Sequence, residues 1–88
     1  MMSGSVLQIE IVSREGRLWH GTASAVQIPV VDGQLGILPG RQPLLAMLKA
    51  GIVTVATPSG VESFTIEGGF ASMDSNFVTV VADHGTVS

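Results

Sequence analysis

Residues 32–55 have the sequence DGQLGILPGRQPLLAMLKAGIVTV, and this stretch decides the fold. It contains an Asp32-Gly33 turn, a short apolar strand, a Pro39-Gly40 corner, a Leu-rich segment and a strand led by glycine. None of its residues has the pattern of a nucleophile site, a metal site or a glycine-rich phosphate loop. The stretch therefore predicts a shaped surface loop over a β core, which favours docking over catalysis.

Apolar and polar side chains alternate with a period of two on both sides of this stretch, as is typical of half-buried strands. Leu7, Ile9 and Ile11 share one face of the first such segment, and Gln8 and Glu10 share the other. Turn residues recur about every 8–12 residues, which is the spacing of a β-sandwich or a barrel. The pattern predicts an all-β fold.

For two segments the sequence is compatible with more than one local structure. Residues 43–48, PLLAML, are compatible with one or two turns of helix, because proline suits a first helical position, and also with an irregular strand. Gly68-Gly69 predicts either a sharp bend or a close approach between strands.

The composition indicates one small domain with an unusually uncharged surface. The 88 residues suffice for a single domain, and only 12% of them are charged while 45% are hydrophobic. The usual charged share is about 25%. Such a shell exposes apolar area, which is either a partner interface or a consequence of the many inward positions in a two-layer β domain.

Charge and cysteine content exclude several classes of function. The net charge is -3, and the four cations are scattered rather than gathered into a stripe, which argues against nucleic-acid binding. The absence of cysteine excludes a disulfide framework and a thiolate metal site. The longest uncharged run, residues 18–31, has 14 residues, fewer than the ~20 that a membrane-spanning helix needs. The N-terminal residues do not have the pattern of a secretory signal.

No catalytic, cofactor or metal site is predicted. His20, Asp83 and His84 are the only residues from which an acid–base site could be drawn, and His20 is separated from the other two by most of the chain. Paired zinc ligands at short spacing are absent. The segment 33–36, GQLG, lacks the remaining glycine and the Lys-Ser/Thr of a phosphate loop, so a hairpin turn is the simpler interpretation.

Two single residues allow both a functional and an ordinary interpretation. Trp19 is either an interface anchor or part of the sandwich core, and the core is favoured. Arg41 follows the Pro39-Gly40 corner in a charge-poor chain, and we favour a specific contact over a role in solubility alone.

Several segments taken together, in order and with matching spacing, resemble the epsilon subunit of F-type ATP synthase. They are LWHG at 18–21, DGQLGILPGRQPLL at 32–45, LKAGIVTV at 48–55, GGF at 68–70 and VTVVAD at 78–83. The resemblance implies a two-layer β-sandwich of about ten short strands over residues 1–88, with 83–88 as a short tail. Many family members continue into two C-terminal helices, which are expected to be absent here. Inhibition by helix extension and a substantial ATP site are then expected to be absent too.

The function implied by the resemblance is that of a non-catalytic rotor subunit in the central stalk. It would dock on the gamma subunit and the c-ring and couple proton-driven rotation to ATP synthesis. It would lie peripherally at the cytoplasmic face of the bacterial membrane, in contact with the membrane only through partner subunits and without a cofactor. A stand-alone β-sandwich module that binds a peptide or small ligand is the alternative. That class favours exposed aromatic rings on one face, whereas most of the four aromatic residues of this chain, Trp19, Phe64, Phe70 and Phe77, occupy positions expected to point inward.

The resemblance also assigns interface residues. Asp32 and Gln34 correspond to the loop that faces the c-ring, although the family usually has an acidic residue where Gln34 stands. Arg41 stands where the family usually has histidine. The residues expected to face the gamma stalk are Ser13, Pro39, Gly40, Arg41, Pro43 and Leu44.

Overall fold

The computed structural model describes residues 6–87, and the alternating segments form eight β-strands there. The strands are β1 Leu7–Ser13, β2 Gly16–Ala23, β3 Ala25–Val30, β4 Gly33–Ile37, β5 Leu44–Thr57, β6 Gly60–Asp74, β7 Phe77–Ala82 and β8 Gly85–Val87. This part of the chain contains no helix, and hence none long and apolar enough to cross a bilayer. The all-β prediction is confirmed.

The strands form one hydrogen-bonded sheet in the order β2-β1-β7-β6-β5-β3-β4, and β8 pairs with β6 outside that order. The β1–β7 pair is parallel and the other pairs are antiparallel. The pairing of β5 with β6 skips Lys49 and Gly68. On one side of this interruption lie the strand halves 44–48 and 69–74, which continue to β7, β1 and β2 and form the first layer. On the other side lie the halves 50–57 and 60–67 with β3, β4 and β8, which form the second layer.

In the described residues, the expected two-layer arrangement of about ten short strands is built from eight continuous strands. Strands β5 and β6 are 14 and 15 residues long, and each runs through both layers. Segments that are separate strands by their sequence pattern are thus halves of one continuous strand. Residues 43–48 are not helical, because Leu44–Leu48 is the first half of β5.

The Gly68-Gly69 pair lies at the point where β6 passes from one layer to the other. Gly69 has a φ of 122°, and a Cβ there would overlap the carbonyl oxygen of Val81 in β7. Both alternatives for this pair are therefore correct, since the chain bends and the strands approach closely.

The core lies between the two layers and is entirely apolar. Leu7, Ile11 and Val80 enter it from the first layer, and Phe64 and Val53 from the second, each with 0% of its surface exposed. Burying a large apolar side chain contributes about 1.5–3 kcal/mol. No polar or charged residue of the described chain is buried. The apolar core therefore joins the two layers and keeps their outer faces apart.

The C-terminal segment differs from the expected short tail. Gly85–Val87 forms β8 and pairs with Phe64–Ile66 of β6, while Ser88 lies outside the described residues. The first five residues, which bear on the absence of a secretory signal, also lie outside them. The β8 strand adds an edge to the second layer.

Candidate docking surface

The β3–β4 hairpin presents the two residues that correspond to the family's c-ring loop. Asp32 lies in the two-residue turn and Gln34 in β4, and both side chains are exposed. Val31 shares the turn and is 83% exposed. The hairpin thus offers a carboxylate, an amide and an apolar side chain on a small projection of the second layer.

The Pro39-Gly40 corner carries the chain from β4 in the second layer to β5 in the first. The backbone N–H of Gly40 donates to Oδ1 of Asn76 at 2.7 Å, and Nη1 of Arg41 donates to the carbonyl oxygen of Gly36 at 3.2 Å. Gly40 has a φ of 85°, in the region that favours glycine. The corner is therefore attached to both layers. Arg41 remains exposed, and the guanidinium has further N–H donors beyond this one.

The other predicted gamma-facing residues take different positions. Pro43 is exposed directly before β5, whereas Leu44 is half-buried and packs against the core. Ser13 ends β1, where its Oγ donates to Oε1 of Glu15 at 2.9 Å. Since Gln8, near the start of β1, binds the carbonyl oxygen of Asn76, Ser13 is about 16 Å further along the strand from the corner. The structure does not bring Ser13 together with the corner.

An apolar patch covers the outer face of the first layer between the corner and Ser13. Met47 pairs with Phe70, Phe70 with Val81, and Val81 with Val12, so that four apolar side chains form one row across β5, β6, β7 and β1. Met47 is 73% and Phe70 42% exposed, and Leu45, two residues before Met47, is 71% exposed. We call Val12, Leu45, Met47, Phe70 and Val81 the outer patch.

The residues of the outer patch were missed by the sequence analysis, although a signal for them is present. In Leu44–Leu48 both faces of the strand are apolar, because Leu44 and Leu48 point inward while Leu45 and Met47 point outward. A strand that is apolar on both faces is normally covered on both faces. The expectation that most aromatic rings point inward is also wrong in part: Phe64 is buried, but Phe70 and Phe77 are exposed.

His20 and His84, two of the three residues from which an acid–base site could be drawn, line different depressions of the surface. His20 lies opposite Glu10 in the β1–β2 register. Nδ1 of His84 lies 3.0 Å from Oε2 of Glu15 in a shallow, open depression. Hydrogen bonds from His84 and then from Ser13 lower the pKa of the Glu15 carboxyl below its usual value. Within residues 6–87 no group of three acidic, histidine or cysteine side chains could hold a metal ion.

Comparison with known proteins adds a family and a fold. Residues 6–86 match the family model of the ATP synthase delta/epsilon chain, beta-sandwich domain. An ATP synthase epsilon chain of Micrococcus luteus is 46% identical over 77 residues, which are 86% of this chain and 85% of that protein. An ATP synthase epsilon chain of Rhodobacter capsulatus is 39% identical over 79 residues, which are 90% of this chain and 60% of that protein. The chain thus spans less than two thirds of the Rhodobacter protein and most of the Micrococcus one.

Two solved structures share the fold at low sequence identity. A chain in the mitochondrial ATP synthase of Euglena gracilis superposes with a TM-score of 0.87 at 20% identity, over 99% of this chain and 56% of that one. A chain in the central stalk and c-ring structure of the Tetrahymena thermophila enzyme gives 0.75 at 14% identity, over 90% of this chain and 64% of that one. The two-layer sandwich expected from the sequence is therefore a known arrangement.

Proposed function

This chain belongs to the ATP synthase delta/epsilon chain beta-sandwich domain family, and we propose on that basis that it is a non-catalytic subunit of the central stalk of an F-type ATP synthase. It docks on the gamma subunit and on the c-ring and couples proton-driven rotation to ATP synthesis. It lies at the cytoplasmic face of a bacterial membrane and touches the membrane only through its partner subunits.

The observation that carries the proposal is the outer patch. Met, Leu and Phe side chains that are 42–73% exposed lie together in a chain with few charges. Met and Phe are enriched at protein interfaces, and charged residues are depleted at interface cores. Contiguous apolar area on a soluble protein commonly marks an interaction site. The patch begins two residues after Pro43, so the gamma-facing corner and the patch form one continuous surface.

The distribution of the two surfaces supports binding to two partners at once. The outer patch lies on the first layer, whereas Asp32 and Gln34 lie on a hairpin of the second layer. A partner on one of them leaves the other accessible. The body between them is a continuous sheet folded over an apolar core, which can transmit a displacement without an internal hinge.

The proposal is tested by measuring the affinity of the purified chain for purified gamma subunit. We expect Met47→Glu to weaken binding at least tenfold, because it places a charge within an apolar contact. Val61→Glu is the matched control, since Val61 is 69% exposed but lies on the outer face of the second layer. Equal binding by both variants would show that the outer patch is not the gamma interface. A wild-type chain that does not bind gamma at micromolar concentration would instead indicate a stand-alone binding module.

A further inference from the structure

Asn76, in the turn between β6 and β7, makes contacts with two distant segments. Its side-chain Oδ1 accepts the N–H of Gly40 at 2.7 Å, and its carbonyl oxygen accepts the N–H of Gln8 at 2.8 Å. Gly40 is 36 residues away in the sequence. One turn residue therefore connects the start of β1, the β6–β7 hairpin and the corner that precedes β5.

The turn does not need an asparagine side chain for its own conformation. Ser75 and Asn76 have φ values of 52° and 62°, the two non-glycine residues with positive φ within the described chain. Two-residue turns of this kind strongly prefer glycine at the second position. The other three two-residue hairpins in the described part of the sheet are of another kind: their positive φ lies at the glycine that follows the two turn residues, namely Gly16, Gly33 and Gly60. Asparagine tolerates this conformation, and unlike glycine it brings a side-chain oxygen to the Gly40 N–H.

Few groups of the corner can form hydrogen bonds to the first layer. Pro39 and Pro43 have no backbone N–H. The Arg41 side chain binds Gly36, which belongs to the second layer. The bond from Gly40 to Asn76 is directed to the first layer, which also carries the outer patch.

We propose that Asn76 is a positioning residue that holds the Pro39-Gly40 corner beside the outer patch in the geometry required for docking. This inference rests on the proposed function, because it concerns the same surface. Asn76 need not touch the partner. A corner that is already ordered before binding loses less conformational freedom when the partner arrives, which increases affinity.

The experiment compares Asn76→Gly with Asn76→Asp in the full chain. Glycine adopts the φ of the turn at no steric cost but removes the acceptor, whereas aspartate keeps an oxygen acceptor at the same place. Thr57→Ala is the control, because it removes hydrogen bonds that close another hairpin turn, those from Thr57 Oγ1 to Gly60 and from the Ser59 N–H to Thr57 Oγ1. The readouts are hydrogen exchange of the Gly40 amide, the melting temperature and the affinity for purified gamma subunit.

We expect Asn76→Gly to accelerate exchange of the Gly40 amide and to weaken gamma binding by about five- to tenfold, the effect of one lost hydrogen bond. Asn76→Asp should keep the Gly40 amide exchange and the gamma affinity close to those of the wild-type chain. Thr57→Ala should change neither quantity. Unchanged Gly40 exchange, unchanged affinity in Asn76→Gly, or equal loss of affinity in Thr57→Ala would each overturn the inference while leaving the proposed function intact. Absence of binding by the wild-type chain would overturn the proposed function, and the inference with it.

Discussion

The indole ring of Trp19 and the phenyl ring of Phe64 lie 6.2 Å apart between centroids, tilted by 48°. Trp19 belongs to β2 in the first layer and Phe64 to the part of β6 in the second layer, so this contact joins the two layers. The separation is within the range of favourable aromatic pairs. Trp19 is half-buried and packs against the core, as favoured from the sequence.

Phe64→Ala should destabilise the chain by about 3–5 kcal/mol, because a fully buried ring is replaced by a cavity. A domain of this size has a total stability of only about 5–15 kcal/mol. Denaturant unfolding followed by the fluorescence of Trp19, the single tryptophan, measures the loss. Phe77→Ala is the control, since Phe77 is 48% exposed. Similar losses in the two variants would contradict the assignment of the core.

Gly69→Ala should strongly destabilise the fold, because the new Cβ would overlap the carbonyl oxygen of Val81 and cannot move without shifting the backbone. The φ of 122° adds further strain for any residue with a Cβ. Gly36→Ala should be tolerated, since open space surrounds Gly36 and its φ is not positive. Thermal melting of the two variants compares the sites directly. A Gly69 variant as stable as the Gly36 variant would rule out the close approach at the bend.

His84→Ala should raise the pKa of Glu15 towards its ordinary value of 4.5, because the largest cause of the lowered pKa is removed. A carboxyl with a lowered pKa in the folded chain stabilises that chain above the unfolded-state pKa, and the stabilisation disappears as pH falls through the folded-state pKa. The effect on stability is small because the pair is exposed. The stabilisation is present at neutral pH, and its change with pH is confined to acidic solution below about pH 5.

The pKa change is measured by NMR titration of the Glu15 carboxyl carbon. Ser13→Ala is the control, because its hydroxyl is a smaller cause of the same shift. The return towards the ordinary pKa should therefore be smaller in Ser13→Ala than in His84→Ala. The reverse order would mean that the contact of His84 with Glu15 does not form in solution.

Gln34→Cys should form a disulfide with a cysteine introduced into the polar loop of the c-ring in the assembled complex. The chain has no cysteine of its own, so the cross-link would be specific to the new position. Ser59→Cys is the control, because Ser59 lies in the turn at the opposite end of β3 from Asp32. Cross-linking is scored on a non-reducing gel. A product from position 59 but none from position 34 would place the ring contact elsewhere.

The sequence by itself determined the fold class and most of the turns. A side-chain period of two is set by backbone geometry within a few residues, so segments such as Leu7–Ser13 are recognisable as strands without tertiary information. The residue types at Asp32, Pro39 and Gly40 likewise identify a turn and a corner locally. The charge-poor composition indicated that apolar surface would remain exposed.

Only the tertiary structure decided which strands are continuous and which apolar side chains face outward. In Leu44–Leu48 both alternating faces are apolar, so periodicity does not say which face is buried. The sheet folds at Lys49 and Gly68, and this buries the face of Leu48 and exposes that of Leu45 and Met47. The bond between Asn76 and Gly40 joins residues 36 apart, and no local rule relates them. Local patterns specify strands and turns because they act over a few bonds. The docking surface arises where distant segments meet, and that depends on how the whole sheet packs on itself.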